Sequence, residues 1–307
     1  MDTIQLLIYA CLAISLVSIL IRAVRYARAP IHVRWELYPV PHERGRAHYG
    51  GSIFEELDWW KKKRDPDLFN ELKEMLQEIL LLKGVFHHNR KLWIFSFPFH
   101  FGLYLMIGWF LVLIIAAIPE AAGAGTTTGF FSFLNLVLVP LGYLGLALTF
   151  IGALGLLLRR ILDPDIRKYS VPAEHFNLLS LLAATGLTLA VHSTSDPSFT
   201  SLTEYMGGLI SFSQPVPIAA GMKAELALAS LLIAYIPLSR MGHFIAKYFL
   251  YHDVRWSDEP NLPGSKIEAN VMTMLGKPVH WSAPHIQTGN TWAEVATQVD
   301  GQEEEKK

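Results

Sequence analysis

The sequence contains a single cysteine, Cys11, among its 307 residues. One thiol cannot form an intrachain disulfide, and it cannot hold a thiolate-ligated iron–sulfur cluster or a zinc knuckle. The sequence also lacks a Cys-x-x-Cys-His motif, which excludes covalently attached c-type haem. Any redox metal in this chain must therefore be bound by residues other than a group of cysteines.

Charge is also scarce. Charged residues make up 17% of the chain, below the ~25% that is usual for soluble domains, whereas apolar residues make up 51%. The formal net charge of −1 provides no basic field for nucleic acid. A water-soluble fold would need a very large core to hide this much apolar surface, and membrane lipid is the simpler solvent. The composition therefore predicts an integral membrane protein.

Five apolar stretches are long enough to cross ~30 Å of hydrocarbon, which takes ~20 helical residues. They cover 4–21, 92–118, 134–158, 176–192 and 224–250. A six-span alternative would divide 130–158 at Pro140, but neither half would then be long enough. We predict an all-α fold of five transmembrane helices. Close helix packing is expected at the glycines of the third span, Gly142, Gly145, Gly152 and Gly155.

Lysine and arginine alternate between the connecting segments. Fourteen fall in 22–91, none in 119–135, four in 159–168 and none in 193–222. Because basic residues stay on the cytoplasmic side, the N-terminus is expected outside and the C-terminus inside, in the inner membrane. The first span lacks a basic n-region and an Ala-x-Ala-like cleavage site, so it is expected to be an uncleaved anchor.

Two regions lie outside the spans. We predict a membrane domain over 1–255 with a cytoplasmic insert over 26–91, followed by a cytoplasmic tail over 256–307. From Leu68 the insert has helical apolar spacing, which predicts an amphipathic helix on the bilayer, on a partner protein or on the inner end of the bundle. Its acidic face disfavours anionic lipid, so protein docking is preferred. The tail is either solvated or packed through Trp256, Trp281 and Trp292.

Two histidines lie within spans at comparable depth. His100 is nine residues past Lys91, ~13 Å by helical rise, and His243 is four residues before Lys247, ~6 Å. Intramembrane histidine is costly unless it faces protein or a cofactor. Two such imidazoles can ligate one haem iron from its two faces. For either histidine by itself a helix-packing hydrogen bond is the better explanation, whereas the matched pair favours metal.

The residues around these histidines suit a haem. Tyr104 and Gly108 share a helix face with His100, and the glycine leaves room for a flat macrocycle. Ser239 and Arg240 lie one turn before His243, where Arg240 can pair with a haem propionate. The alternative for Arg240, a basic anchor at the end of a helix, is the stronger one.

Three short motifs carry a resemblance to a known family. They are Pro237-Leu-Ser-Arg-Met-Gly-His243, Phe97-Pro-Phe-His100 and Arg159-Arg-Ile-Leu-Asp-Pro-Asp-Ile-Arg167. In this order across five spans, over about 1–255, the chain resembles the gamma (cytochrome b) subunit of respiratory nitrate reductase. It is more similar still to relatives in transmembrane redox complexes of sulfate- and metal-reducing anaerobes. Trp59-Trp60 and Trp281-Ser-Ala-Pro-His285 resemble that second branch only.

The resemblance implies b-type haem, menaquinol chemistry and electron exchange with a cytoplasmic iron–sulfur subunit. A periplasmic multihaem cytochrome c is a further candidate partner. His100 and His243 match the ligands of the inner haem. The positions that would ligate a second, outer haem hold Phe110 and Glu225, and phenylalanine cannot ligate iron. We therefore expect one haem.

A quinone site is the remaining candidate at the outer side. His192 and Glu225 could take protons from a quinol there, with Lys223, Glu204 and Tyr205 nearby. For any one of these residues, solvation at the interface is the better explanation. Without an outer haem, an electron taken at this side would also have to cross much of the bilayer. A site near the inner haem would avoid that gap, but the sequence does not name its residues.

The chain has no catalytic nucleophile, flavin motif or cluster of its own, so it must pass electrons to another protein. We predict a membrane cytochrome b subunit that links the menaquinone pool to a cytoplasmic partner through one bis-histidine haem. One alternative is a haem-free membrane anchor for a soluble redox enzyme. A small transporter with His100 or His192 as a proton relay is a third hypothesis, but the broken helices and inverted repeats that would favour it are weak or missing.

Overall fold

The computed structural model describes residues 2–29, 41–49, 51–122, 129–214, 216–284 and 286–298. His285 of the predicted tail motif and residues 30–40 and 50 of the predicted insert lie outside this described part. Twelve α-helices form within it, in chain order from α1 to α12. They are Thr3–Ala27, Leu68–Leu81, Lys83–His88, Arg90–Ala121, Gly129–Leu162, Pro164–Tyr169, Pro172–Ser195, Thr200–Ile210, Ala220–Tyr235, His243–Phe249, Lys266–Leu275 and Trp292–Thr297.

Five of these helices are long and apolar enough to cross a membrane, which confirms the predicted number. The candidate spans are Thr3–Ala27, Arg90–Ala121, Phe133–Leu162, Pro172–Ser195 and Ala220–Leu238. Helix α5 runs without interruption past Pro140, so the six-span alternative is wrong. The predicted direction, with the N-terminus outside, stays a prediction.

The fifth span ends twelve residues earlier than the predicted 224–250. It stops at Leu238, because Pro237 has no backbone N–H to continue the helical ladder. Helix α9 ends at Tyr235 and the 3₁₀ turn Ile236–Leu238 completes the span; a second 3₁₀ turn, Arg240–Gly242, follows before α10 starts at His243. The hydroxyl of Ser239 accepts the backbone N–H of Met241 at 3.1 Å, which satisfies a donor that the break exposes. His243 is therefore the first residue of a new helix, not part of the fifth span.

Glycines let α4 and α5 approach closely, as predicted. A Cβ added to Gly152 would lie 2.5 Å from the backbone nitrogen of Phe99, and one added to Gly155 would lie 2.1 Å from the Phe95 ring. The contact is mutual, since a Cβ on Gly102 of α4 would lie 2.5 Å from the backbone nitrogen of Thr149. In lipid the hydrophobic effect does not drive helices together. Small residues at such positions instead let the backbones approach closely, so that van der Waals packing stabilises the helix pair.

The chain divides into two compact units. The first combines Met1–Leu20 with Leu72–Gly242 and holds most of the bundle. Its first helix is joined to α8 and the residues that follow by polar contacts: Gln5 Nε2 donates to the Ser213 carbonyl at 2.9 Å, and the Tyr205 hydroxyl donates to Asp2 at 3.1 Å. Burial, together with the bond to Asp2, raises the pKa of Tyr205, so this phenol stays protonated.

The second unit combines Ile21–Glu71 with His243–Lys307. Asp258 connects its two segments, with His42 at 3.6 Å and an ion pair to Arg64. Burial raises the pKa of Asp258, but the bonds to His42 and Arg64 outweigh it and hold the pKa below its usual value. Trp256 is buried beside Tyr251, which confirms the packed alternative for this part of the tail.

We predict that Gly152→Ala destabilises the bundle. The added methyl group would overlap the Phe99 backbone, which cannot move aside as a flexible side chain could. A loss of about 1–3 kcal/mol in the free energy of unfolding is expected, measured by unfolding in detergent. Gly129→Ala is the matched control, because its Cβ would meet nothing within 4 Å. Equal stability of the two variants would contradict the close approach of α4 and α5.

Candidate functional site

His192 lies fully buried in the last turn of α7, with an oxygen facing each ring nitrogen. Its Nε2 is 3.1 Å from Glu225 Oε1 on α9, and its Nδ1 is 3.1 Å from the backbone carbonyl of Asp196. Glu225 is 5% exposed and Asp196 is 6% exposed. The structure therefore brings together the two residues predicted for the outer side, and it places them in protein instead of solvent.

The turn after α7 holds this arrangement in place. Asp196 is the first residue past the helix, and its carboxylate accepts the backbone N–H groups of Ser201 and Leu202 at 3.1 and 3.2 Å. These are first-turn donors of α8 that water would otherwise have to satisfy. Phe199 takes a left-handed conformation, with φ of 56°, and its ring lies 4.4 Å from that of His192. The turn thus covers the imidazole.

The two contacts of His192 fix where protons sit. A backbone carbonyl only accepts, so Nδ1 carries a hydrogen towards Asp196. The contact between Nε2 and Glu225 then needs one proton, either on the ring as imidazolium or on the carboxyl group. Both forms hold the same single proton. The second carboxylate oxygen of Glu225, Oε2, is buried and has no hydrogen-bond partner among the described residues.

A cavity of about 120 Å³ lies beside the histidine–glutamate pair. Its lining includes Val191 and Met222, close neighbours in sequence of His192 and Glu225, but not the pair itself. It is smaller than the ~300 Å³ of a usual ligand pocket. Lodging a ring-sized ligand there therefore requires the lining side chains to move.

The other residues considered for this side lie elsewhere. Glu204 and Lys223 are exposed, and Tyr205 is buried against Asp2. Asp196 was not predicted, although its spacing of four residues from His192 on a helix gave a signal. Its carboxylate lies 3.4 Å from His192 Nδ1, but the closer contact is made by its backbone carbonyl, which side-chain chemistry does not predict.

His100 lies half-buried on α4. Its Nδ1 is 2.7 Å from the carbonyl of Ser96, one helical turn earlier. This bond places the ring hydrogen on Nδ1 and the acceptor lone pair on Nε2, the arrangement that metal-ligating histidines use. Tyr104 donates its hydroxyl to the Ile79 carbonyl at 2.8 Å. A Cβ on Gly108 would contact Leu141 of α5 at 3.7 Å, so this glycine faces a neighbouring helix.

The residues predicted near the second ligand have partners of their own. Arg240 lies 3.6 Å from Glu174, which also accepts from Arg160 at 2.6 Å. The hydroxyl of Ser239 donates to the Ile236 carbonyl at 3.0 Å. His243 is exposed at the start of α10. In the described part of the chain, no group of three or more His, Cys, Asp or Glu side chains could hold a metal ion. The haem contacts of these residues stay predictions.

Comparison with known proteins gives a consistent family. The model of the nitrate reductase gamma subunit family matches residues 84–256. An "Hdr-like menaquinol oxidoreductase cytochrome b-like subunit" of Archaeoglobus fulgidus is 24% identical over 268 residues, 78% of this chain and 75% of that protein. A protein of the same name from Archaeoglobus profundus is 22% identical over 288 residues, 83% and 82% of the two chains. No solved structure matches.

We predict that Asp196→Ala lowers the free energy of unfolding by about 1–2 kcal/mol, because the first turn of α8 loses its cap. Asp196→Asn keeps a side-chain acceptor, so its free energy of unfolding should fall by clearly less. Unfolding of the purified protein in detergent measures both, with Glu204→Gln as a control that removes an exposed carboxylate nearby. Equal losses in the Ala and Asn variants would show that capping is not the function of this side chain.

Proposed function

The chain belongs to the nitrate reductase gamma subunit family, and from this premise we propose that it is the cytochrome b subunit of a menaquinol-linked redox complex. It is a multi-pass membrane protein, as the family and its five apolar helices indicate. The membership confirms the resemblance that the motifs predicted. The similar Archaeoglobus proteins are named as subunits, which supports a place in a larger complex.

The observation that carries the proposal is the buried His192–Glu225 pair. Oxidation of a quinol releases two protons and two electrons, so a quinol site needs a proton acceptor away from bulk water. The pair holds one proton between Nε2 and Oε1, and Glu225 Oε2 is an acceptor without a partner among the described residues. A quinol hydroxyl can donate to this oxygen. Since the carboxyl group takes only one further proton, the first must leave before the second is accepted.

We assign the haem ligands to His100 and His243, as the sequence predicts. The bond from His100 Nδ1 to the Ser96 carbonyl suits a residue that would hold the haem iron, because a hydrogen on Nδ1 leaves the ring lone pair on Nε2. When bound, a b-type haem supplies one-electron transfer between the quinone and the partner protein. Tyr104, Gly108, Ser239 and Arg240 are proposed as its surroundings, with a cytoplasmic iron–sulfur subunit as the partner that exchanges its electrons.

We predict that the purified chain shows a b-type spectrum when reduced, and that His100→Ala and His243→Ala each abolish it. Each substitution removes a residue that is proposed to hold the haem iron. His192→Ala is the control, because it too removes a histidine, here from the spanning helix α7, but should keep the full absorbance. A colourless wild-type protein would favour the haem-free anchor instead.

A second prediction tests the quinol site separately from the haem. Glu225→Gln removes the proposed proton acceptor while it keeps the shape of the side chain. Haem reduction by a menaquinol analogue should slow by about 10²-fold or more, whereas reduction by dithionite should be unchanged. In the control variant Ser193→Ala, at an exposed position next to His192, the menaquinol analogue should reduce the haem at the wild-type rate. An unchanged quinol rate in Glu225→Gln would place the quinol site elsewhere in the chain.

A further inference from the structure

Helix α2 presents an apolar face that nothing in the described part of the chain covers. Leu72, Leu76 and Leu80 follow one another at intervals of four residues, which places them on one side of the helix. Their side chains are 57%, 45% and 42% exposed. The sequence by itself left open whether this face meets lipid, a partner protein or the inner end of the bundle.

Two hydrogen bonds attach the last turn of α2 to the membrane-spanning helix α4, and one of them reaches a residue at the level of the hydrocarbon. The Tyr104 hydroxyl donates to the Ile79 carbonyl at 2.8 Å, and Trp93 Nε1 donates to the Leu81 carbonyl at 2.8 Å. Helix α4 has 32 residues, and ~20 of them cross the hydrocarbon. A window of 20 residues can start anywhere from 90 to 102, and every such window contains Tyr104. The Ile79 carbonyl is thus one side-chain length from backbone that lies in hydrocarbon.

These two bonds satisfy backbone groups that water would otherwise reach. The last four carbonyls of an α-helix have no partner within the helix. At a helix end in water they need none from the protein, whereas in lipid each unsatisfied group costs several kcal/mol. Side-chain donors from α4 supply partners to two of these carbonyls. This arrangement is expected where lipid or protein, and not water, surrounds the end of α2.

The side chains on the polar side of α2 also have partners within the protein. Lys83 lies 2.8 Å from both carboxylate oxygens of Glu74 and 3.1 Å from Gln77. The carboxylate of Glu78 accepts the backbone N–H of Gly84 at 2.8 Å. Glu74 and Glu78 are thus paired within α2 and α3, and the remaining acidic side chain of α2, Glu71, lies 2.7 Å from His252 Nε2. The objection from repulsion by anionic headgroups is correspondingly weaker.

The stretch of α4 that holds α2 has its own exposed apolar side chains. Between Trp93 and Tyr104 these are Ile94, Phe95 and Phe101, at 59%, 36% and 36% exposure. As part of a spanning helix they meet lipid. We propose that the Leu72–Leu76–Leu80 face of α2 lies in the acyl chains of the same leaflet, so that α2 is an interfacial helix whose partner is membrane lipid. This proposal does not depend on the haem or on the quinol site.

Spin labelling of the full-length chain in phosphatidylcholine nanodiscs tests the proposal. A nitroxide is attached at Leu76→Cys in a Cys11→Ala background, and collisions with oxygen, which concentrates in lipid, are compared with collisions with a water-soluble nickel chelate. Gln77→Cys is the matched control, since it is the next residue and ~100° away around the helix. We expect a several-fold higher ratio of oxygen to nickel collisions at Leu76 than at Gln77.

Two results would overturn the proposal. Nickel collisions at Leu76 equal to those at Gln77 would place this face in water. Protection of Leu76 from both reagents would show that protein covers it. Leu72→Cys, one turn earlier on the same face, gives an independent measurement if the first variant does not assemble, and it should behave like Leu76.

Discussion

The hydrocarbon offers no hydrogen-bond partner, and this constraint governs every polar group inside the bundle. The hydroxyl of Thr149 donates back to the Gly145 carbonyl at 2.8 Å, and that of Thr185 donates to the Leu181 carbonyl at 2.8 Å. His192, which cannot satisfy itself within its helix, has an oxygen at each ring nitrogen. Against this background two buried atoms of the spanning helices lack a partner in the described part of the chain, Trp109 Nε1 and the carboxylate oxygen Glu225 Oε2, and are exceptions. Such an exception is where a ligand is expected.

Hydropathy predicted the spans well because membrane insertion depends on composition over ~20 residues. It could not predict the break after Leu238, since 224–250 is apolar on average despite Glu225, Arg240 and Lys247, and hydropathy does not report the change in hydrogen bonding there. Pro237 was visible in the sequence, but spanning helices tolerate proline, as α5 does at Pro140. What distinguishes the two prolines is the Ser239 hydroxyl, which bonds the backbone freed at the break. A contact of this kind is a property of the fold, not of a sequence window.

The candidate site was predictable where side chains carry it and unpredictable where the backbone does. His192 and Glu225 are costly residues near the ends of two spans, so the sequence could pair them by position. The Asp196 carboxylate lies 3.4 Å from His192 Nδ1 and bonds the first turn of α8, and the Ser96 hydroxyl lies 3.3 Å from His100 Nδ1. The closer contact to each Nδ1, however, is made by the backbone carbonyl of the same residue. Any residue has a carbonyl, so composition holds no record of these contacts. They follow only from the course of the chain.

Packing beside the histidine–glutamate pair bears on the number of haems. Trp109, Leu113 and Phe199 are buried together with Val191, and a Cβ on Gly142 would lie 2.6 Å from Trp109 Nε1. Phe110, the position at which the resemblance would expect a second haem ligand, lies next to Trp109 of this cluster, and the single haem stays a prediction. Leu113 is thirteen residues beyond His100, ~20 Å along α4. A quinol oxidised at Glu225 would therefore release its protons at one end of the bundle and send its electrons towards the other. Under the proposed function this reaction would separate charge along the helices, because the proposed haem ligand His100 lies ~20 Å along α4 from Leu113.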